Sequence, residues 1–168
     1  MTKRIWMGIA ALAVCVTPLH NAYALSVGGG VHYLRNLGEI EDNGYEANNF
    51  SILGSVQFPL AMLKLEADVE YMFDLMGTDE GAWLPQAYAL VGGMIYGGVG
   101  IGIVNFDGEW ADDPFYNLRA GVNLPLSSMS LDLYATYQFW NDDQLEDLTG
   151  DDLDSITFAG VLRFDLGR

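Results

Sequence analysis

Lys64, Glu66, Asp68 and Glu70 stand at every second position of KLEADVEYMF, with Leu65, Ala67, Val69 and Tyr71 between them. Successive side chains of an extended chain point to opposite faces, so the four ionisable groups share one face. Side chains of this kind form ion pairs when enclosed, and lend themselves less often to proton or ion passage. Arg119, Asp132, Arg163 and Asp165 add charges of both signs further along. His32 and Ser51 form a second constellation, because a serine beside a histidine supports acyl transfer. That chemistry also needs an orienting carboxylate and an oxyanion site, and the sequence places neither. Close pairs of carboxylates carry little catalytic information in a chain with 23 acidic residues. GGVGIG, Gly97 to Gly102, has the look of a nucleotide-binding loop but runs on as an alternating strand and opens no helix.

The ends and the charge balance restrict what these groups can serve. Lys3 and Arg4, the apolar run from Ile5 to Val16, and Ala22-Tyr23-Ala24 read as a secretory signal occupying residues 1–24. The run is too short for a spanning helix, which needs about 20 apolar residues. Lipid anchoring at Cys15 is disfavoured by the bulky Val14, and cleavage after Ala24 removes the only cysteine, leaving no disulfide chemistry. From Leu25 onward all 23 acids remain, against Arg35, Lys64, Arg119, Arg163 and Arg168. Nucleic acid is excluded as a partner, because phosphate backbones require a basic surface. Abundant Phe, Tyr, Val, Leu and Ile argue against disorder.

The elements that must position the charges are strands. Period-2 alternation recurs in eight segments, at 25–36, 48–59, 62–75, 82–93, 95–106, 114–124, 130–141 and 154–167. Each is long enough for the roughly 9–11 residues of a tilted spanning strand. The polar face collects Ser51, Ser55 and Gln57, then Lys64 to Glu70, Gly98, Gly100 and Gly102, Asn117, Arg119 and Asn123, Asp132, Thr136 and Gln138, and Thr157, Arg163 and Asp165. The apolar face includes Phe50, Ile52, Leu65, Val69, Val99, Leu118, Leu133 and Leu162. The fourth segment is blurred, and Pro85 points to a bulge or a rim position there. Short turns at Pro59-Leu60-Ala61, Gly92-Gly93-Met94 and Pro125 to Met129 alternate with long acidic links. Seventeen of the 23 acids lie in those links.

Alternation alone does not say which face is inside. A soluble lipocalin-like carrier would put the apolar face inward. Three glycines in series on the polar face, sparse charges on that face and aromatics such as Phe58, Phe73, Tyr116, Phe139 and Phe164 near the apolar strand ends favour the inverse. The chain then resembles the small eight-stranded outer-membrane β-barrels of the OmpA/OmpX type over residues 25–168. It departs from them in finishing FDLGR rather than on an aromatic residue. The resemblance implies an all-β, antiparallel up-and-down transmembrane barrel in the cell outer membrane of a Gram-negative-type envelope, inserted by the barrel-assembly machinery among outer-membrane lipid and lipopolysaccharide.

An eight-stranded barrel is just wide enough for side chains to fill, so no open pore is expected. Enclosed charges must pair. The expected lumen network is Lys64, Glu66, Asp68, Glu70, Arg119, Asp132, Arg163 and Asp165, with Asp132 opposite Arg163 and Arg119 reaching Glu66, Asp68 or Glu70. No cofactor and no catalytic residue is expected. The function read from this is non-enzymatic: a filled barrel that displays acidic loops for envelope structure or surface interaction. The alternatives are a lipid-modifying acyl hydrolase or transferase using His32, a narrow channel, and the soluble carrier. The link from Asp142 to Asp154, with Asp112-Asp113, could gather divalent cations weakly, although it lacks an EF-hand pattern.

Overall fold

The computed structural model describes residues 25–36, 48–60, 62–73, 81–140 and 155–166. They form strands β1 (Leu25–Asn36), β2 (Asn48–Leu60), β3 (Leu63–Met72), β4 (Ala82–Gly92), β5 (Ile95–Gly102), β6 (Asn105–Phe106), β7 (Glu109–Trp110), β8 (Phe115–Leu126), β9 (Met129–Trp140) and β10 (Ser155–Leu166). The eight long strands pair antiparallel with their neighbours in sequence, and β1 pairs with β10 along its whole length, from Leu25↔Leu166 to Asn36↔Ser155. The sheet is therefore a closed up-and-down barrel. Each expected segment corresponds to one long strand. The third ends earlier, at Met72, and the fifth breaks after Gly102. Residues 1–24 and the acidic links within 37–47, 74–80 and 141–154 lie outside the described residues.

Exposure decides the orientation of the faces. Phe50, Val69, Val99 and Phe158 are 48–63% exposed, whereas Glu66, Asp68 and Glu70 are 2–3% exposed. A soluble barrel would require the reverse. A closed sheet with an apolar outside and an ionised inside is built for hydrocarbon, since closure leaves no unpaired strand edge in the bilayer.

The connections follow from local chemistry. At one end Gly92 takes a positive φ of 133° and the chain reverses through Gly93-Met94, while Ser127-Ser128 joins β8 to β9 with Ser127 at φ 62°. At the other end β6 and β7 form a small hairpin about Asp107-Gly108, both with positive φ, the arrangement a two-residue primed turn requires. Pro85 occupies neither a bulge nor the rim. It pairs with Val69 in mid-β4, and the register to the next strand is the same on both sides of it, Gln86↔Gly102 and Trp83↔Asn105. The Ile103 amide donates to the Pro85 carbonyl at 3.2 Å, but proline returns no amide, so the ladder is interrupted at Ile103-Val104 without slipping.

The glycines of β5 serve close approach. A Cβ on Gly98 would overlap the Ala89 carbonyl, on Gly100 the Tyr88 ring, and on Gly102 the Phe115 ring. Their bare backbone makes room for large side chains that cross the lumen from β4 and β8.

Candidate functional site: the charged lumen

Arg163 and Arg119 organise the centre of the lumen. Arg163 donates from Nε to Asp132 Oδ2 at 2.8 Å, from Nη1 to Ser55 Oγ at 2.6 Å and from Nη2 to Glu66 Oε1 at 2.7 Å. Arg119 donates from Nη1 to the same Glu66 oxygen at 2.9 Å, from Nη2 to Asp68 Oδ2 at 3.0 Å and from Nε to Thr136 Oγ1 at 3.2 Å. The Arg119 guanidinium also lies between two rings, 3.5 Å from the centroid of Tyr88 and 3.9 Å from that of Tyr134. Gln57 donates to the second Glu66 oxygen at 2.6 Å and the Tyr96 hydroxyl to Asp132 Oδ1 at 2.7 Å. Glu66 thus bridges two arginines, and strands from opposite sides of the barrel are tied through its centre.

Glu70 belongs to a neighbouring cluster instead of joining Arg119. The Ser51 hydroxyl donates to its Oε1, and Gln86 donates to its Oε2 at 2.8 Å. His32 Nδ1 is 3.0 Å from the latter oxygen, a distance suited to an ion pair but off the line of a hydrogen bond. The other nitrogen of His32 bonds the Tyr134 hydroxyl at 2.8 Å. His32 and Ser51 face each other across the first hairpin, yet the serine is bonded to the carboxylate, and the group is 2–3% exposed. The serine hydroxyl is thus engaged and buried. Lys64 and Asp165 stand apart from both clusters at the short-turn rim. Lys64 Nζ donates to the Gly93 carbonyl at 3.3 Å and sits 4.9 Å above the Tyr96 ring, and Asp165 is exposed.

Beyond Glu70, toward the long links, the lumen turns apolar. Leu34, Met72, Ala82, Leu84, Val104 and Phe115 are buried together there, with Phe106 and Ala111 packed against them. Among the described residues this cluster packs the interior at that end. The alternation rule put these positions on the inner face, but their hydrophobicity hid the fact. Tyr88, Tyr96 and Tyr134 escaped for the same reason, although Tyr134 falls in phase with Asp132 and Thr136. Among the described residues no group of three or more His, Cys, Asp or Glu is placed to hold a metal ion. Asp112 is exposed, and Asp142 to Asp154 lie outside the described residues.

No protein-family model matches the sequence, and no curated protein matches it. The fold is nevertheless shared with solved barrels. Neisserial surface protein A superposes with a TM-score of 0.62 at 14% identity, over 84% of this chain and 97% of that one. A de novo designed transmembrane β-barrel gives 0.50 at 13% identity, over 87% and 98%. Ail, the attachment invasion locus protein of Yersinia pestis, solved with the heparin analogue sucrose octasulfate, gives 0.42 at 14% identity, over 85% and 100%. The chain has the small eight-stranded barrel fold of the outer-membrane type.

Proposed function

We propose that the protein is a non-enzymatic outer-membrane barrel whose work is done by what it displays, acidic loops on a stable filled cylinder that serve envelope structure or surface interaction. The observation that carries this reading is the filled lumen: two arginines bonded to Glu66, Asp68 and Asp132, with an apolar cap beyond them. Among the described residues the centre of such an interior is packed, and its Ser51 hydroxyl is buried and bonded to Glu70. The likeness to a protein named as a surface protein fits the same reading. The loops repel one another unless cations screen them, so outer-leaflet lipopolysaccharide and divalent ions are their natural neighbours. The test is reconstitution into planar bilayers together with incubation against lipid A and phospholipid. The proposal expects neither steady conductance nor acyl modification; acyl release abolished by His32→Ala, or stable open-channel steps, would refute it.

A further inference from the structure

The two ends of the lumen differ. Among the described residues the loop end is packed by apolar side chains, and the short-turn end holds a cavity of about 240 Å³ lined in part by Ser26, Lys64, Asn123, Ser130, Arg163 and Asp165. That is an order of magnitude beyond the ~10–15 Å³ a single water needs. Lys64 is half-buried at its wall and, among the described residues, makes no ion pair; its polar contact is the long one to the Gly93 carbonyl. Asn123 Nδ2 donates to Ser130 Oγ at 3.1 Å, which leaves the serine proton free to be donated to a guest. Ser26, 5% exposed, adds a second hydroxyl, and Asp165 adds an acceptor on the same wall. Arg163 gives three of its five N–H donors to Asp132, Ser55 and Glu66 and is 1% exposed, so it forms the floor and leaves Lys64 as the more accessible cation for a guest.

We propose that this mouth is a binding site for a small hydroxylated oxyanion of the glycerol phosphate class. The oxyanion lies against Lys64 and the Ser26 and Ser130 hydroxyls, and Asp165 accepts from a ligand hydroxyl. The site opens at the end that carries the short turns, which in barrels of this type faces the periplasm. The same chemistry is offered by free glycerol phosphate and by a phosphatidylglycerol headgroup at the inner leaflet.

The test uses protein refolded in an uncharged glucoside detergent at fixed ionic strength, followed by amide shifts at Ser26, Lys64 and Ser130. Glycerol 3-phosphate is expected to produce saturable shifts in the millimolar range, glycerol none, and Lys64→Gln to weaken binding about tenfold. Asp165→Asn is expected to tighten inorganic phosphate by a few-fold while weakening the preference for glycerol 3-phosphate over it. Short-chain phosphatidylglycerol binding more tightly than free glycerol phosphate assigns the guest to lipid, and the reverse to a soluble metabolite; either supports the site. Heat-modifiable gel migration verifies that both variants are folded. Shifts that fail to saturate by about 50 mM, or that are unchanged in folded Lys64→Gln, overturn the proposal.

Discussion

Replacing Arg119 by Ala should be among the most damaging single changes in the barrel. The substitution removes hydrogen bonds to Glu66, Asp68 and Thr136 and vacates the space between the Tyr88 and Tyr134 rings. Glu66 keeps Arg163 and Gln57. Asp68 Oδ2 loses its donor, and Oδ1 has no hydrogen-bond partner among the described residues. The carboxylate is 2% exposed, so bulk solvent does not screen it in place of the guanidinium. Breaking a buried pair by deleting one partner costs about 3–5 kcal/mol. With a urea slope of about 2 kcal/mol per molar, the midpoint for unfolding in detergent should fall by about 1.5–2.5 M. Tryptophan fluorescence and heat-modifiable migration both report it. Adding Asp68→Ala to Arg119→Ala removes the carboxyl group left without its donor, so the double variant should be less unstable than the two single effects summed, by at least about 1 kcal/mol. Lys64→Ala, at the rim, should move the midpoint by no more than about 0.5 M, a surface-sized effect. An Arg119→Ala midpoint equal to that of the unaltered protein, or strict additivity with Asp68→Ala, would refute the idea that the central cluster holds the barrel together.

Neighbouring glycines should behave oppositely. Gly98→Ala, whose methyl meets the Ala89 backbone, should prevent the heat-modifiable folded band from forming, whereas Gly97→Ala, with its nearest neighbour 3.6 Å away, should fold normally. Val69→Arg puts a charge on the lipid-facing side and should cost about 2–4 kcal/mol in vesicles if Val69 lies near mid-bilayer. Calcium titration monitored by loop amide shifts should show weak saturable binding that Asp151→Asn with Asp152→Asn reduces; a flat response would remove cation binding from the role of the last link.

Much of this architecture is readable from period-2 alternation, because a strand with one face in hydrocarbon and one in a polar interior must alternate. KLEADVEYMF is the clearest case, and its charges are where the inversion of faces requires. Legibility fails where an inward position is itself hydrophobic. β4 reads as blurred since Leu84 and Leu90 point inward while Ala87 and Ala89 lie outside, and so the alternation does not mark Gln86 and Tyr88 as lumen groups. The choice between Arg119 and His32 as the partner of Glu70 depends on reach across the barrel, which spacing along one strand does not encode. The β6–β7 hairpin was signalled by Asp107-Gly108, a turn pair hidden within an otherwise acidic link. Pro85 does break a ladder bond, as its missing amide requires, but without a bulge, because the interruption inserts no residue.

Arg163 lies on the last strand, yet it bonds Ser55 and Glu66, 108 and 97 residues earlier in the chain. The final stave therefore brings the countercharge as well as the seam. A sheet arrested before β10 docks would hold Glu66 and Asp132 without that guanidinium, at a stage when its free edges are also open. Closing the seam and completing the central charge cluster thus fall to the same strand.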